Sequence, residues 1–319
     1  MTEFTIQRAA ASDPGRKKPR NEDHLGFFEP EGAEDLSSSG CLYVVADGVG
    51  GGAAGEVASQ FAVERVLHSY FGSADPDLGR RLEAAVGLAN TDIHTYVGER
   101  PELRRMGTTL VAAGVRGREL VVGNIGDSRA YLVRGSEIQQ VTKDHSLVQR
   151  LVDEGSITAE EASQHPRKNV LLRCVGLEPE ARLDLFAREL CDGDMILLCS
   201  DGLTRYLSDE EVLGVIKRSR MSHAVKRLVR IANSRGGADN TTVLLLRIEE
   251  ASPGTSLGHA LRDGQTPSQP DLASIHEHAR HRREAPRGPR PPAWLWLVLA
   301  TGFGLIAAIC TMIPSLLGL

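Results

Sequence analysis

The chain has little cysteine, no surplus of positive charge and no long apolar run among its first residues, and each shortage argues against a class of protein. Its five cysteines, Cys41, Cys174, Cys191, Cys199 and Cys310, are scattered, form no C-x-x-C pair and sit mostly inside apolar runs. That pattern reads as buried thiols in a reducing compartment. The formal net charge of -5 gives no electrostatic footprint for nucleic acid, which needs Lys and Arg massed on one face. MTEFTIQRAAASDPGRKK at the start has no apolar core of signal-peptide length. No Gly-Lys-Ser/Thr P-loop and no internal repeat occur. What remains, 41% apolar and 25% charged residues over 319 positions, is the composition of an ordinary globule.

Charge is absent altogether from Pro291 to Leu319. Within that stretch residues 293–313 are long enough to cross a bilayer at about 20 residues per span, and Trp294 and Trp296 suit the headgroup interface. Arg280, Arg282, Arg283, Arg287 and Arg290 precede it, so the positive-inside tendency places everything before the span in the cytoplasm. The expected organisation is a catalytic module over residues 1–250, a basic, Pro-rich disordered linker over 251–292, and a single transmembrane helix over 293–313, making the protein tail-anchored in the membrane.

Residues 1–250 show short apolar runs that read as strands: Leu42 to Ala46, Thr108 to Val115, Leu120 to Ile125, Ala130 to Val133, Ile138 to Val141, Met195 to Cys199 and Thr242 to Ile248. The tight VRGRE and VRGSE connections predict an antiparallel meander over Thr108 to Val141. Helices are expected over Gly55 to Phe71, with Ala58, Ala62, Val66 and Tyr70 on one face, and over Leu78 to Val97. Thr158 with Glu161 and Ser208 with Glu211 have capping-box spacing, and Gly236-Gly237 stops a helix built on Val225, Leu228, Val229 and Ala232. Strands and helices segregated in this way mean an α+β fold, two antiparallel sheets covered by helices.

The stretch VVADGVGGGAAGEVAS, Val44 to Ser59, supports two chemistries. Gly50, Gly52 and Gly55 satisfy G-x-G-x-x-G between a strand and a helix, as a dinucleotide site would. Against a nucleotide, Asp47 would repel a pyrophosphate, and the next strand begins near Thr108, beyond the ~30-residue span of such a unit. The other chemistry is metal binding. Apolar runs also end in Asp127 and Asp201, and one begins just after Asp239, so four carboxylates sit at strand ends. Each alone is cheap, because Asp-Gly is a common turn pair. Gathered at one rim they would repel, and a hard divalent cation would hold them ionised. All-oxygen ligation favours Mg²⁺ or Mn²⁺ over Zn²⁺.

The ordered blocks NED (Asn21, Glu22, Asp23), ADGVGG, MGTT (Met106 to Thr109), GNIGDSRAY, TKDHSLVQRLVDEG, HP, CSDGL and GADNTTV strongly resemble the bacterial branch of the metal-dependent type 2C protein serine/threonine phosphatases, the PPM family. The resemblance covers nearly all of residues 1–250. It implies a four-layer α-β-β-α sandwich with a two-metal centre that activates hydroxide and hydrolyses phosphoserine and phosphothreonine without a covalent phosphoenzyme; no Cys-x5-Arg loop is present. By position, Asp47 bridges both ions, and the Gly48 carbonyl with Asp201 and Asp239 completes the inner ligands. Glu22 and Asp23 hold metal-bound waters, Asn240 orients the surroundings of Asp239, and Asp127 matches the acidic ligand of a third, weaker ion. The implied partners are phosphorylated proteins and a bacterial Ser/Thr kinase, with no nucleotide and no nucleic acid.

Two positions depart from the family pattern. Gly52 replaces a histidine proposed as general acid, and Lys18 stands where the phosphate-binding arginine is expected. Lysine lacks the bidentate fork, so Arg16 and Arg20 are alternative phosphate ligands. These departures keep a second reading open, a catalytically weak pseudophosphatase that binds phosphoproteins. His145 and His165 match family positions and are expected to shape the segment Ser146 to Val170 rather than act on substrate.

Overall fold

The computed structural model describes residues 4–50 and 53–250, with Asp271 and Glu277 as isolated positions. The predicted span 293–313, nearly all of the predicted linker, Gly52 and Cys310 lie outside the described residues. Among the described residues no helix is long and apolar enough to cross a membrane. The chain divides into two units after residue 279, and every element below belongs to the first.

In chain order the strands are β1 (Phe4–Asp13), β2 (Asp23–Phe28), β3 (Cys41–Val49), β4 (Gly107–Thr108), β5 (Leu110–Arg116), β6 (Glu119–Ile125), β7 (Arg129–Arg134), β8 (Glu137–Gln140), β9 (Asp184–Glu189), β10 (Met195–Cys199) and β11 (Thr241–Glu250). The helices are α1 (Ala33–Ser39), α2 (Ala53–Phe71), α3 (Leu78–Gly98), α4 (Leu147–Asp153), α5 (Ala159–Gln164), α6 (Asp201–Thr204), α7 (Asp209–Arg218) and α8 (Met221–Ser234). One sheet has the order β1-β11-β10-β7-β8 and the other β2-β3-β5-β6-β9, with β4 on β3. Neighbouring strands pair antiparallel throughout.

Strand alternation builds three apolar layers from one sequence pattern. Along β3, Tyr43 and Val45 face the other sheet, where Leu198, Leu244 and Leu246 meet them, while Leu42, Val44 and Ala46 face α2 and α3. Along β11, Val243 and Leu245 face the opposite way, onto Leu228, Val229 and Ala232 of α8. The four predicted positions Ala58, Ala62, Val66 and Tyr70 are all buried under α2. Both predicted capping boxes are present, at Thr158 with Glu161 and at Ser208 with Glu211.

The predicted meander over Thr108 to Val141 is corrected. Hairpin β5–β6 belongs to one sheet and hairpin β7–β8 to the other, so the chain crosses the sandwich between Ile125 and Arg129. Gly126 makes the crossing with φ +106°, and a Cβ there would lie 2.6 Å from Thr109, which restricts the position to glycine. Asp127 is thereby delivered to the rim between the sheets. The cysteine reading is also corrected at one position: Cys41, Cys174 and Cys199 are buried, whereas Cys191 is exposed.

Candidate metal centre

Antiparallel pairing brings the end of one strand beside the start of its neighbour, and the acidic residues occupy such ends. Asp47, near the end of β3, is directly opposite Asp23 at the start of β2. Asp201 follows β10 as the first residue of α6, and Asp239 precedes β11, which pairs with β10. The Asp47 backbone is clamped by the MGTT block: its N–H donates to Thr109 Oγ1 (3.0 Å), and its carbonyl accepts from the Thr109 N–H (2.8 Å) and Thr108 Oγ1 (2.9 Å). Thr109 Oγ1 is in turn 2.7 Å from Ser128 Oγ.

Gly48 explains part of the glycine-rich stretch. Its N–H donates to the Glu22 carbonyl at 3.0 Å, and a Cβ at this position would lie 2.1 Å from the Gly55 carbonyl oxygen. The first turn of α2 therefore packs on bare backbone. That helix begins at Ala53, two residues before the predicted start at Gly55. Asn240 ties the rim together, accepting the Glu22 N–H at 2.8 Å while its amide donates to the carbonyls of Pro14 (2.9 Å) and Arg20 (2.8 Å). Ser200 donates to Asp23 Oδ2 at 2.7 Å and accepts the Thr242 N–H at 3.0 Å.

The carboxylates feel one another. Burial, then the charges of Asp23, Asp201, Asp127 and Asp239, raise Asp47 well above the ordinary aspartate range. Burial raises Asp127 likewise, with Asp201 and Asp144 adding to it. Burial lifts Asp23 to about 7 against the opposing hydrogen bond from Ser200. Asp201 is raised by burial although Arg205 pulls it down. Each shift has the sign expected of anions crowded away from water.

Two cations stand among these anions. Lys18 Nζ is 2.9 Å from Asp239 Oδ1 and 3.4 Å from Glu22 Oε2. Arg205 is ion-paired to Asp201 and reaches Asp239 Oδ2 at 3.3 Å. Burial lowers the Lys18 ammonium, but Asp239 and Glu22 more than compensate, and its pKa is raised. Of the three phosphate-binding candidates only Lys18 joins the cluster. Arg20 pairs with Glu56 at 3.1 Å, and Arg16 is exposed with its side-chain stem against Gly237. Arg205 was missed in the sequence, although its signal was present: four residues after Asp201 on a helical turn is the spacing at which side chains meet. His145 is structural as expected, accepting the Gly126 N–H on Nδ1 (3.1 Å) and lying 3.0 Å from Asp184 through Nε2. His165 caps the end of α5 and accepts the Arg167 N–H at 3.1 Å.

Among the described residues no three acidic, histidine or cysteine side chains converge closely enough to chelate one ion in this arrangement. Lys18 and Arg205 take the oxygens instead. The donor set still fits divalent ions on two observations. Asp23 Oδ1 and Asp201 Oδ1 are buried without a hydrogen-bond partner, a costly state for a carboxylate oxygen. Five aspartates against two cations are also under-compensated, so that burial and mutual repulsion disfavour their ionised forms until further positive charge enters, and a set of all-oxygen donors suits Mg²⁺ or Mn²⁺. Asp47, Asp201, Asp239 and the Gly48 carbonyl would hold such ions, with Asp23 and Glu22 beside them.

Residues 16–244 match the family model described as Protein phosphatase 2C. The chain is 40% identical over 243 residues to the serine/threonine protein phosphatase PstP of Mycobacterium tuberculosis, covering 76% of this chain and 45% of that protein. It thus spans about half the length of that relative. It is 38% identical over 240 residues to the serine/threonine phosphatase stp of Listeria innocua, covering 74% of this chain and 93% of that one. A crystal structure of the PstP catalytic domain in complex with two manganese ions superimposes with a TM-score of 0.68 at 38% identity, covering 78% of this chain and all of that one.

Proposed function

The chain belongs to the protein phosphatase 2C family, and from that membership we propose that it is a metal-dependent protein serine/threonine phosphatase acting on phosphoserine and phosphothreonine. The observation that carries the reading is the under-compensated carboxylate cluster at the rim of the sandwich, with Asp23 Oδ1 and Asp201 Oδ1 buried and unpartnered. Two ions of Mn²⁺ or Mg²⁺ would supply charge neutralisation and activation of water for in-line displacement at phosphorus. A relative's catalytic domain is described in complex with two manganese ions, which supports the same complement here. Asp127, whose carboxyl is raised by burial and then by the charge of Asp201, is the proposed anchor of a third ion.

The chain's own residues have separate tasks. The clamp of Thr108, Thr109 and Ser128 fixes Asp47, and Asn240 fixes the loop that carries Glu22. Lys18, lying on Asp239, is the first candidate for binding a phosphate oxygen, as a point charge rather than a fork. Gly52 supplies no acid for the leaving alcohol, and general acid help is typically worth about 10²–10⁴-fold. Turnover on aryl phosphates, whose leaving groups need no proton, should therefore exceed turnover on phosphothreonine peptides.

Membrane attachment through residues 293–313 is part of the proposal and rests on that uncharged, apolar stretch and the arginines before it. Tethering would raise the enzyme's effective concentration near membrane-bound phosphoproteins, including a Ser/Thr kinase and its substrates. The test is hydrolysis of p-nitrophenyl phosphate and of phosphothreonine peptides with Mn²⁺. Activity abolished by EDTA and by Asp47→Asn is expected. Phosphopeptide binding with no hydrolysis in saturating Mn²⁺ would replace the enzyme with the pseudophosphatase reading.

A further inference from the structure

A cleft of about 220 Å³ lies beside the centre, lined by Gly50, Ala54, Glu102, Leu103, Arg104 and Arg105 among others. Its basic wall is held rigidly. The single turn Pro101–Leu103 is closed by Leu103 N–H to Arg100 carbonyl (2.8 Å) and Met106 N–H to Leu103 carbonyl (2.7 Å), and both Leu103 and Met106 are buried. Consecutive Arg104 and Arg105 are left exposed between these two anchors. The turn is pressed against the glycine loop: Gly50 has φ +128°, and a Cβ there would lie 2.6 Å from the Arg105 carbonyl oxygen.

Nearby arginines are engaged in the fold. Arg100 pairs with Glu99 and stacks over Tyr96, and Arg65 pairs with Asp92. No ion pair is formed by Arg104 or Arg105 among the described residues. Glu102 on the same wall opposes them, leaving the cleft with a net positive edge on a chain whose overall charge is -5.

Distance to the centre is short. Arg105 is three residues before Thr108, whose hydroxyl binds the Asp47 carbonyl, so their Cα atoms are at most about 10 Å apart. An extended peptide advances about 3.3 Å per residue. A chain with its phosphoresidue at the carboxylate cluster and running toward this turn would bring side chains two to five positions away over the arginine pair.

We propose that Arg104 and Arg105 form an anion-recognition subsite that selects phosphopeptides carrying an acidic side chain a few residues from the phosphoserine or phosphothreonine. The inference rests on the phosphatase reading for the position of the phosphoresidue. It adds the substrate class: acidic sequences over neutral ones. The backbone that carries the two arginines is fixed by buried Leu103 and Met106, so binding orders only their exposed side chains, and rim charges of this kind set preference and salt dependence.

The experiment uses the full chain with Mn²⁺ and two fluorescent phosphothreonine peptides, identical except for glutamates against glutamines at two to five positions on either side. Dissociation constants are read by anisotropy and KM by phosphate release. The wild-type protein is expected to favour the acidic peptide about three- to tenfold, the size of two solvent-exposed charge contacts. That ratio should fall to about one in Arg104→Gln/Arg105→Gln, fall partway in each single variant, rise in Glu102→Gln, and shrink in 0.5 M salt, where the screening length is only about 4 Å. No acidic preference in the wild type, or an undiminished ratio in the double variant, overturns the subsite. If p-nitrophenyl phosphate and both peptides are untouched by the wild-type protein, the phosphatase reading fails, while the anisotropy ratio still decides the subsite.

Discussion

Arg205 is ion-paired to Asp201, four residues earlier in the same helical turn, and its other terminal nitrogen reaches Asp239 at 3.3 Å. Two carboxylates proposed as ligands of divalent ions are thus held by an internal cation. An incoming ion must displace that guanidinium. Arg205→Gln is expected to tighten Mn²⁺ binding on the order of tenfold, the scale of one charge-assisted hydrogen bond. The same change should lower the melting temperature in EDTA, because the carboxylates lose their counter-charge. Titration calorimetry and paired melts check both, and weaker Mn²⁺ binding in the variant would contradict the competition.

A pH dependence follows from Asp23. Burial lifts its pKa from 3.8 to about 7, so between those values the folded chain holds a proton that the unfolded chain has released. With fewer protons bound when unfolded, stability must fall as pH rises through that window. In EDTA, urea midpoints should decline from about pH 4.5 to 7.5. Saturating Mn²⁺, by supplying positive charge, should flatten the decline. A midpoint that climbs with pH in EDTA would show the carboxylate is not held protonated by the fold.

Most strands legible in the sequence were those buried on both faces; β8, a half-exposed edge strand, was the exception, marked by the tight VRGSE turn before it. In β10 (MILLC) every residue is buried, and in β11 (TTVLLLRIEE) the first six are, so an apolar run marks each. The strands that escaped, β1, β2 and β9, all lie at sheet edges. There FTIQRAAASD, DHLGFF and DLFARE mix polar and half-exposed positions, and only partner strands make them sheet. At the site, Asp47, Asp127, Asp201 and Asp239 were legible because each abuts a recognisable strand, whereas Asp23 starts the unrecognised β2 and was marked only by the family resemblance. Ser200 and Thr109 were not, since a hydroxyl's partner lies far along the chain: Ser200 bonds Asp23, 177 positions away.

Asn240 offers a sharper test of the rim. It accepts one N–H and donates to two carbonyls across the junction of the N-terminal loop with β11. Asn240→Ala should cost about 2–4 kcal/mol, the loss of three hydrogen bonds with their partners left behind. Asn240→Asp, nearly isosteric, should cost more, because a carboxylate would face the carbonyls of Pro14 and Arg20 and add to an already crowded set of anions. Urea denaturation ranks the two; an aspartate variant as stable as the wild type would remove Asn240 from its bridging role.

Three glycines of the structure separate close approach from chain flexibility. A methyl group at Gly48 would sit 2.1 Å from the Gly55 carbonyl oxygen and 2.8 Å from that of Glu22, both backbone atoms that cannot move independently. At Gly55 the nearest atom is 2.9 Å away, and at Gly87, inside α3, nothing lies within 4 Å. Gly48→Ala should therefore destabilise by about 3 kcal/mol or more and Gly55→Ala by roughly 1–2. Gly87→Ala should stabilise by about 0.5–1 kcal/mol through reduced unfolded-state entropy. Because Gly48 also holds the Glu22 carbonyl beside Asp47, its variant alone should lose Mn²⁺ binding in calorimetry. A Gly48→Ala protein that melts and binds metal like the wild type would mean that α2 does not rest on bare backbone at the centre.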